Sequence, residues 1–312
     1  MSANRGNASP TLLQRIKAPV RRSLARAVPD RAKPLLRRLA GRSPSPSLPD
    51  PVRDARRGDA SHDTAQVRAY YEEMTPAYLA GFGEIFQGSR PESTDALIDH
   101  IIAAAAIEDG MRILDAGCGI GGPAMAIAAR RNVRIEGLTL AQAQVDCGNK
   151  LIGERALGDR VTLRQGDFHD LARQYEPASF DRILFLESIC HAESYADVLR
   201  GARDLLKPGG ALYIKDFHCV DNRSRPAMSE GQARDLARLH EVYRLQMPDL
   251  ASMVDVLSGL GLMIGYMRMP DYEPTYTHWA AYEREAGRGW HPQSAEPGDI
   301  IQAVEFLCWK RA

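Results

Sequence analysis

The chain has 312 residues, 44% of them apolar, and its 40 Lys/Arg are balanced by 40 Asp/Glu. That is enough apolar material for one large domain with a real core, and no run approaches the roughly 18 apolar residues that a membrane-spanning helix needs. Zero net charge argues against a nucleic-acid substrate; five cysteines without Cys-x-x-Cys spacing argue against a disulfide framework or a zinc site, so a cytoplasmic location is expected.

Charge is unevenly spread along the chain. Residues 1–60 form an extension with 14 Lys/Arg against 4 Asp and no Glu, including the Pro/Ser run 43–51. They lack the apolar core of a secretory signal. Leu12, Ile16, Val20, Leu24 and Val28 recur every four residues among basic side chains, with Pro19 interrupting any helix. Such an element suits peripheral contact with an anionic membrane surface; a capping or poorly ordered arm is the alternative. Residues 61–104 read as a helical cap, with helices over Thr64–Tyr78 and Glu92–Ile107 and Ser89–Glu92 as the start signal of the second.

Residues 105–312 alternate. Strands are predicted at Arg112–Asp115, Val133–Leu138, Val161–Gln165, Arg182–Glu187 and Ala211–Phe217, separated by helical stretches. Helices at Ser229–Met247 and Asp249–Ser258 precede a final antiparallel pair, Leu262–Met269 and Ala303–Trp309, around a long insertion, 270–300. The class is α/β, with a doubly wound, mostly parallel sheet of seven strands. In such a sheet, ligands bind beyond the carboxyl ends of the strands.

The first strand runs into Asp115 and a glycine cluster, then a helix start at Pro123. Gly117 and Gly119 let backbone N–H groups approach a ligand. After the second strand come Thr139, Leu140 and Gln144, suited to a ribose or a methionine part, where a dehydrogenase would place a ribose carboxylate. After the third come Gly166, Asp167 and Phe168: a carboxylate to accept from an adenine amino group and a ring to cover the base, or else a helix cap. A Gly-x-Ser-x-Gly nucleophile elbow is absent, which disfavours hydrolysis.

Ile113–Leu-Asp-Ala-Gly-Cys-Gly119, Gly166–Asp167 and Leu206–Lys-Pro-Gly-Gly210 resemble the motifs of the class I methyltransferases, over roughly residues 105–220. Gly137–Leu-Thr-Leu with Gln144, and Leu186–Glu-Ser-Ile-Cys-His-Ala192, are similar to the carbon-methylating branch, which includes sterol, tocopherol and prenyl diphosphate C-methyltransferases. Tyr78–Leu-Ala-Gly-Phe-Gly-Glu-Ile-Phe86 is similar to an aromatic motif of the sterol enzymes, with departures in detail. The resemblance implies a Rossmann-like fold and S-adenosylmethionine as cofactor.

Methylating an alkene carbon leaves a carbocation, which needs aromatic faces and a carboxylate to stabilise it and remove a proton. Glu187, ending the fourth strand beside the cofactor, is the candidate base, with His191 to orient it or relay its proton; a helix cap and a satisfied core histidine are the alternatives. Tyr70, Tyr78, Phe82 and Phe86 before the first strand, with Tyr276 and Trp279 in the insertion, are the candidate cation-facing and acceptor residues. A diphosphate acceptor would call on Lys215, His218, Arg223, Arg225 and Arg284, with magnesium carried by the diphosphate and no protein ligands assigned. The expected function is C-methylation of a prenyl diphosphate such as farnesyl diphosphate, with cyclisation open. A sterol or tocopherol-like acceptor is the second reading, and a non-catalytic partner-binding protein of this fold the third. An oligomer stays open.

Overall fold

The apolar runs read as strands do form one sheet, and its order fixes where a ligand can sit. The computed structural model describes residues 63–220, 228–294 and 296–312. Seven strands, β1 (Arg112–Ala116), β2 (Arg134–Thr139), β3 (Val161–Gln165), β4 (Phe180–Leu186), β5 (Leu206–Cys219), β6 (Leu262–Arg268) and β7 (Ile301–Lys310), lie in the order β3-β2-β1-β4-β5-β7-β6. The first five are mutually parallel, and β7 is antiparallel to both β5 and β6. The chain steps outward from β1 to β3 and then returns to the other side of β1 with β4. That reversal leaves a crevice beyond the ends of β1 and β4.

Helices cover both faces. On one side α6 (Tyr195–Leu205) and α8 (Leu250–Gly259) bury Val198, Leu199, Val256 and Leu257 against the sheet. On the other, α2 (Thr94–Ala104), α3 (Gly122–Arg130) and α4 (Gln142–Glu154) bury Ile98, Ile101, Ile127 and Ile152. Each such side chain contributes about 1.5–3 kcal/mol on burial. The one-turn helix α5 (Leu171–Gln174) links β3 to β4. The central strands β1 and β4 are buried on both faces and are nearly continuous apolar runs, whereas the edge strand β3 alternates buried and exposed residues.

A third apolar cluster stands above the crevice. It joins α1 (Thr64–Phe82), α7 (Glu230–Tyr243) and α9 (Thr277–Ala286) through Tyr70, Met74, Tyr78, Phe82, Leu239, Tyr243 and Tyr282. α1 continues to Phe82, beyond the expected end at Tyr78. Gly81 lies inside the helix where α9 crosses, and the crossing requires glycine: a Cβ at Gly81 would lie 2.3 Å from the Tyr282 Cα. The helix stops at Gly83, with φ of 69°.

Other boundaries also move. α2 starts after Ser93, whose Oγ accepts from Ala96 N, not at Ser89–Glu92. Ser229 and Asp249 are N-caps outside α7 and α8, and α7 ends at Tyr243. β5 begins at Leu206, and the Lys-Pro-Gly-Gly turn lies inside it as an irregularity, with Leu206 opposite Phe180 and Ala211 opposite Arg182. The insertion 270–300 contains α9 and a short 3-10 turn, Pro297–Asp299. No helix among the described residues is long and apolar enough to cross a membrane. The basic extension 1–60 and its membrane contact lie outside the described residues.

Candidate active site

The crevice at the switch point is a cavity whose walls come from the ends of β1 to β4 and from α1. Asp115, the fourth residue of β1, is 1% exposed, and neither of its carboxylate oxygens has a hydrogen-bond partner. Burial pushes its pKa up to about 7. A buried carboxylate without partners is costly and is completed by a ligand bearing N–H or cationic groups. Gly117, at φ 86°, carries the chain past Ser188; a Cβ there would lie 2.4 Å from the Ser188 Cβ. Ser188 is itself fixed by donation from Oγ to Ala116 O at 2.6 Å.

Gly119, Thr139, Leu140, Gln144, Gly166 and Phe168 also line this cavity, and Thr139 Oγ1 donates to Gln144 Oε1 at 2.5 Å. Asp167 does not line it. Its Oδ1 accepts from His169 N at 2.8 Å and from His169 Nδ1 at 2.6 Å, capping the turn Phe168–Asp170. Burial raises its pKa, but the bonds from His169 outweigh this and hold it below the usual carboxylate range. Asp167 therefore makes the capping contact through Oδ1, and Phe168 and Gly166 line the cavity beside it. α1 roofs the cavity with Val67 and Tyr71. Glu72 in the same helix accepts from Gln142 N at 2.5 Å and Ala143 N at 3.1 Å, serving as the N-terminal cap that α4 lacks locally.

Glu187 follows β4 in a left-handed conformation, φ 57°, a sparsely populated state for a residue with a Cβ. Its backbone N–H donates to Lys215 O at 2.7 Å, and three bonds hold its side chain. Oε2 accepts from Gly88 N at 2.6 Å; Oε1 accepts from Ser89 N at 3.1 Å and from Lys215 Nζ at 2.6 Å. It caps no helix. Lys215, expected to bind phosphate, is instead fully buried, and its ammonium also donates to Gln87 Oε1 and Ser89 O. Burial works against its charge, but the adjacent Glu187 carboxylate outweighs that and raises its pKa. The position is set by strand register, since Leu186 pairs with Lys215. Breaking a buried pair costs about 3–5 kcal/mol. Lys215→Met is expected to lower the unfolding free energy by about that amount in urea denaturation; an unchanged midpoint would show that the pair is not holding the 87–89 loop.

His218 is likewise not available to a phosphate. It is fully buried against Phe306, and burial pushes its pKa down to about 4, so it is neutral near pH 7. Arg284 is exposed on α9 and lines neither the cofactor cavity nor the chamber described next. Arg223 and Arg225 lie outside the described residues.

A second, aromatic chamber abuts the cofactor cavity, and Tyr71, Phe86, Glu187 and His191 line both. Its other walls include Tyr78, Phe82, Phe217, Tyr243, Trp279 and Tyr282. Tyr78 lies at a ring distance of 4.3 Å from Tyr282 and 5.6 Å from Phe82. Tyr70 stands behind them, its hydroxyl 2.6 Å from that of Tyr282 and 3.2 Å from that of Tyr78. His191 Nδ1 donates to Arg244 O at 2.8 Å, so in the neutral imidazole Nε2 accepts from Tyr71 Oη, also at 2.8 Å. Tyr276 is 60% exposed and lies outside the chamber. Gln87, Gly88, Ser188 and Tyr243 are lining or supporting residues that sequence reasoning does not single out, and Gln87 carries no signal at all. Tyr71 belongs with Tyr70 to the aromatic cluster before the first strand, and helix phase decides which of the two faces the cavities. Among the described residues, no group of three or more His, Cys, Asp or Glu side chains could hold a metal ion, and all five cysteines are free.

Seven strands in this order, with the ligand cavity at the switch point, make the fold that of a class I S-adenosylmethionine-dependent methyltransferase. The chain belongs to the mycolic acid cyclopropane synthetase family, whose model matches residues 90–286. Among proteins of similar sequence, a sterol 24-C-methyltransferase of Eremothecium gossypii is 32% identical over 163 residues, 50% of this chain and 43% of that protein. The 27-O-demethylrifamycin SV methyltransferase of Amycolatopsis mediterranei is 33% identical over 162 residues, 52% of this chain and 57% of the relative. The chain thus spans about half the length of these relatives. Among solved structures, a geranyl diphosphate C-methyltransferase from Streptomyces coelicolor A3(2), in complex with Mg2+, geranyl diphosphate and S-adenosyl-L-homocysteine, superposes with a TM-score of 0.61 at 15% identity, covering 85% of this chain and all of that one. The [4+2]-cyclase SpnF superposes with a TM-score of 0.66 at 20% identity, covering 82% and 98%.

Proposed function

We propose that this chain transfers a methyl group from S-adenosylmethionine to an alkene carbon of an isoprenoid acceptor. One observation carries the reading: a buried carboxylate, Glu187, lies in the wall shared by the cofactor cavity and the aromatic chamber. S-Adenosylmethionine, when bound, supplies an electrophilic methyl group. Asp115, Gly117, Gly119, Thr139, Leu140, Gln144, Gly166 and Phe168 would hold it, with the unpartnered Asp115 meeting its cationic end.

The chain's own residues handle what the acceptor becomes. Attack by the π bond leaves positive charge on the neighbouring carbon, and the faces of Tyr78, Phe82 and Phe86 stabilise it without adding to it. Glu187, in the same chamber's wall, stabilises the charge and takes the proton whose loss restores a double bond. Tyr71 and His191, hydrogen-bonded to one another on the same wall, offer that proton a relay.

A prenyl diphosphate, farnesyl diphosphate first, is the acceptor to test, because a geranyl diphosphate C-methyltransferase shares the fold. With Lys215 and His218 engaged elsewhere, recognition of the diphosphate would fall to Arg223 and Arg225, and magnesium would travel with the diphosphate. A second reading is favoured by the chamber itself: none of its described lining residues is Lys or Arg, which suits a neutral sterol or phenol. The test is turnover of methyl-labelled S-adenosylmethionine with geranyl, farnesyl and geranylgeranyl diphosphates, with and without chelator, against a sterol and a phenol. Labelled product from a diphosphate, lost on chelation, is the expected result. Label in the sterol or phenol alone would overturn the diphosphate reading, and label in none of them would overturn isoprenoid C-methylation.

A further inference from the structure

A third cavity is larger than either of the two above. It lies between the insertion 270–300 and the ends of β5 and β7, and encloses about 1490 Å³ counted out to its open mouth, against about 480 Å³ for the aromatic chamber. Its walls include Met269, Tyr276, Trp290 and Ile301. None of the described lining residues is Lys, Arg or His. One of its two carboxylates, Glu283, is committed to the wall, accepting from Tyr243 Oη, Trp279 Nε1 and Trp290 N.

Two rings separate this cavity from the aromatic chamber. Phe217 and Trp279 line both, edge to face at 5.9 Å. Trp279 is held in plane by its indole N–H, shared between Tyr243 Oη and Glu283 Oε1. The loop that grips Glu187 runs along the same partition: Gly88 faces the aromatic chamber and Ser89 faces the large cavity, and each donates its N–H to the Glu187 carboxylate. The proposed reacting centre and the large apolar space are therefore one loop apart.

We propose that this cavity takes the apolar tail of the acceptor, so that a long-chain isoprenoid threads past Phe217 and Trp279 with its reacting double bond beside Glu187. The inference rests on the reading of the aromatic chamber given above, and it deepens that reading by fixing orientation. Described walls that are mostly apolar and carry no cation receive a hydrocarbon end more readily than a phosphorylated one, so the polar head faces away from the insertion. Chain length then becomes a property of residues 270–300 and not of the cofactor fold.

Ala280 tests this. It is exposed on α9 and lines the cavity, so Ala280→Trp fills space without burdening the core. Two measurements keep the outcomes separate. In turnover, the wild-type chain should favour farnesyl and geranylgeranyl over geranyl acceptors by at least about tenfold, the worth of a few buried methylenes. Ala280→Trp should erase that ratio while geranyl turnover and cofactor affinity stay unchanged; a ratio that survives overturns the proposal. In equilibrium dialysis with labelled geranylgeraniol, the variant should bind about tenfold more weakly than wild type. If it does so although no isoprenoid is methylated, the tail cavity stands and the C-methyltransfer reading falls. Equal binding of the probe by both proteins overturns the tail cavity whatever the turnover shows.

Discussion

Glu187→Gln is expected to retain cofactor binding and to lower methyl transfer by about 10²–10⁴-fold, the range seen when a general base is removed. The substitution keeps shape and one acceptor oxygen, so Gly88 N or Ser89 N still finds a partner. It removes the charge that would face the developing cation, and it sets an amide N–H₂ near the Lys215 ammonium. Single-turnover transfer alongside cofactor titration separates the two effects, and the thermal midpoint shows whether the loop survives. Near-normal transfer in a folded variant would make Glu187 an anchor for residues 87–89 and nothing more.

Asp115→Asn should move binding and stability in opposite directions. The cofactor loses a charge-assisted partner worth about 1.5–3 kcal/mol, so its dissociation constant should rise about 10–100-fold. The unliganded protein should gain stability at neutral pH. The sign follows from linkage: the folded pKa of Asp115 is about 7 against an ordinary 3.8, so between those values the folded state keeps a proton that the unfolded chain releases. Stability from this group therefore falls as pH rises through that window. Asparagine removes that slope. Asp216, which burial likewise pushes up to about 7, keeps its own share in the variant. Thermal midpoints at pH 5, 6 and 7, with and without cofactor, check both halves. An unchanged dissociation constant would take Asp115 out of the cofactor cavity.

The frame of the molecule was legible because its signals are local. A parallel strand covered on both faces must be a short apolar run, and β1 to β4 stand within a few residues of where those runs lie. The antiparallel pair β6 and β7 was legible from its apolar content alone, since β6 is an edge strand in which only Leu262 is buried. What sequence could not show are contacts between distant segments. A lysine at the end of an apolar strand reads as a cation offered to solvent. Only the return of residues 87–89 over the sheet, 126 residues away in sequence for Ser89, makes Lys215 a buried counter-ion. Strand alternation could have flagged His218, three residues on and so on the opposite face. Asp167 carries the same pattern whether it caps a turn or meets a ligand. α9 was hidden by its ends, since Pro274 and Gly287 lie just outside a segment of only ten residues.

The pairing of Glu187 with Lys215 also governs the reach of the proposed chemistry. A lone buried carboxylate projects a field that falls as the inverse of distance. With an ammonium 2.6 Å from Oε1, the two charges cancel at long range and what remains is a dipole, whose field decays more steeply. Positive charge on an acceptor is then steadied within a few ångströms of Oε2 and hardly beyond. A cation that migrates along the hydrocarbon passes out of that zone and into the keeping of the aromatic rings alone. Where the proton leaves, and hence which isomer or ring system results, becomes a matter of how far the charge travels before it meets a base.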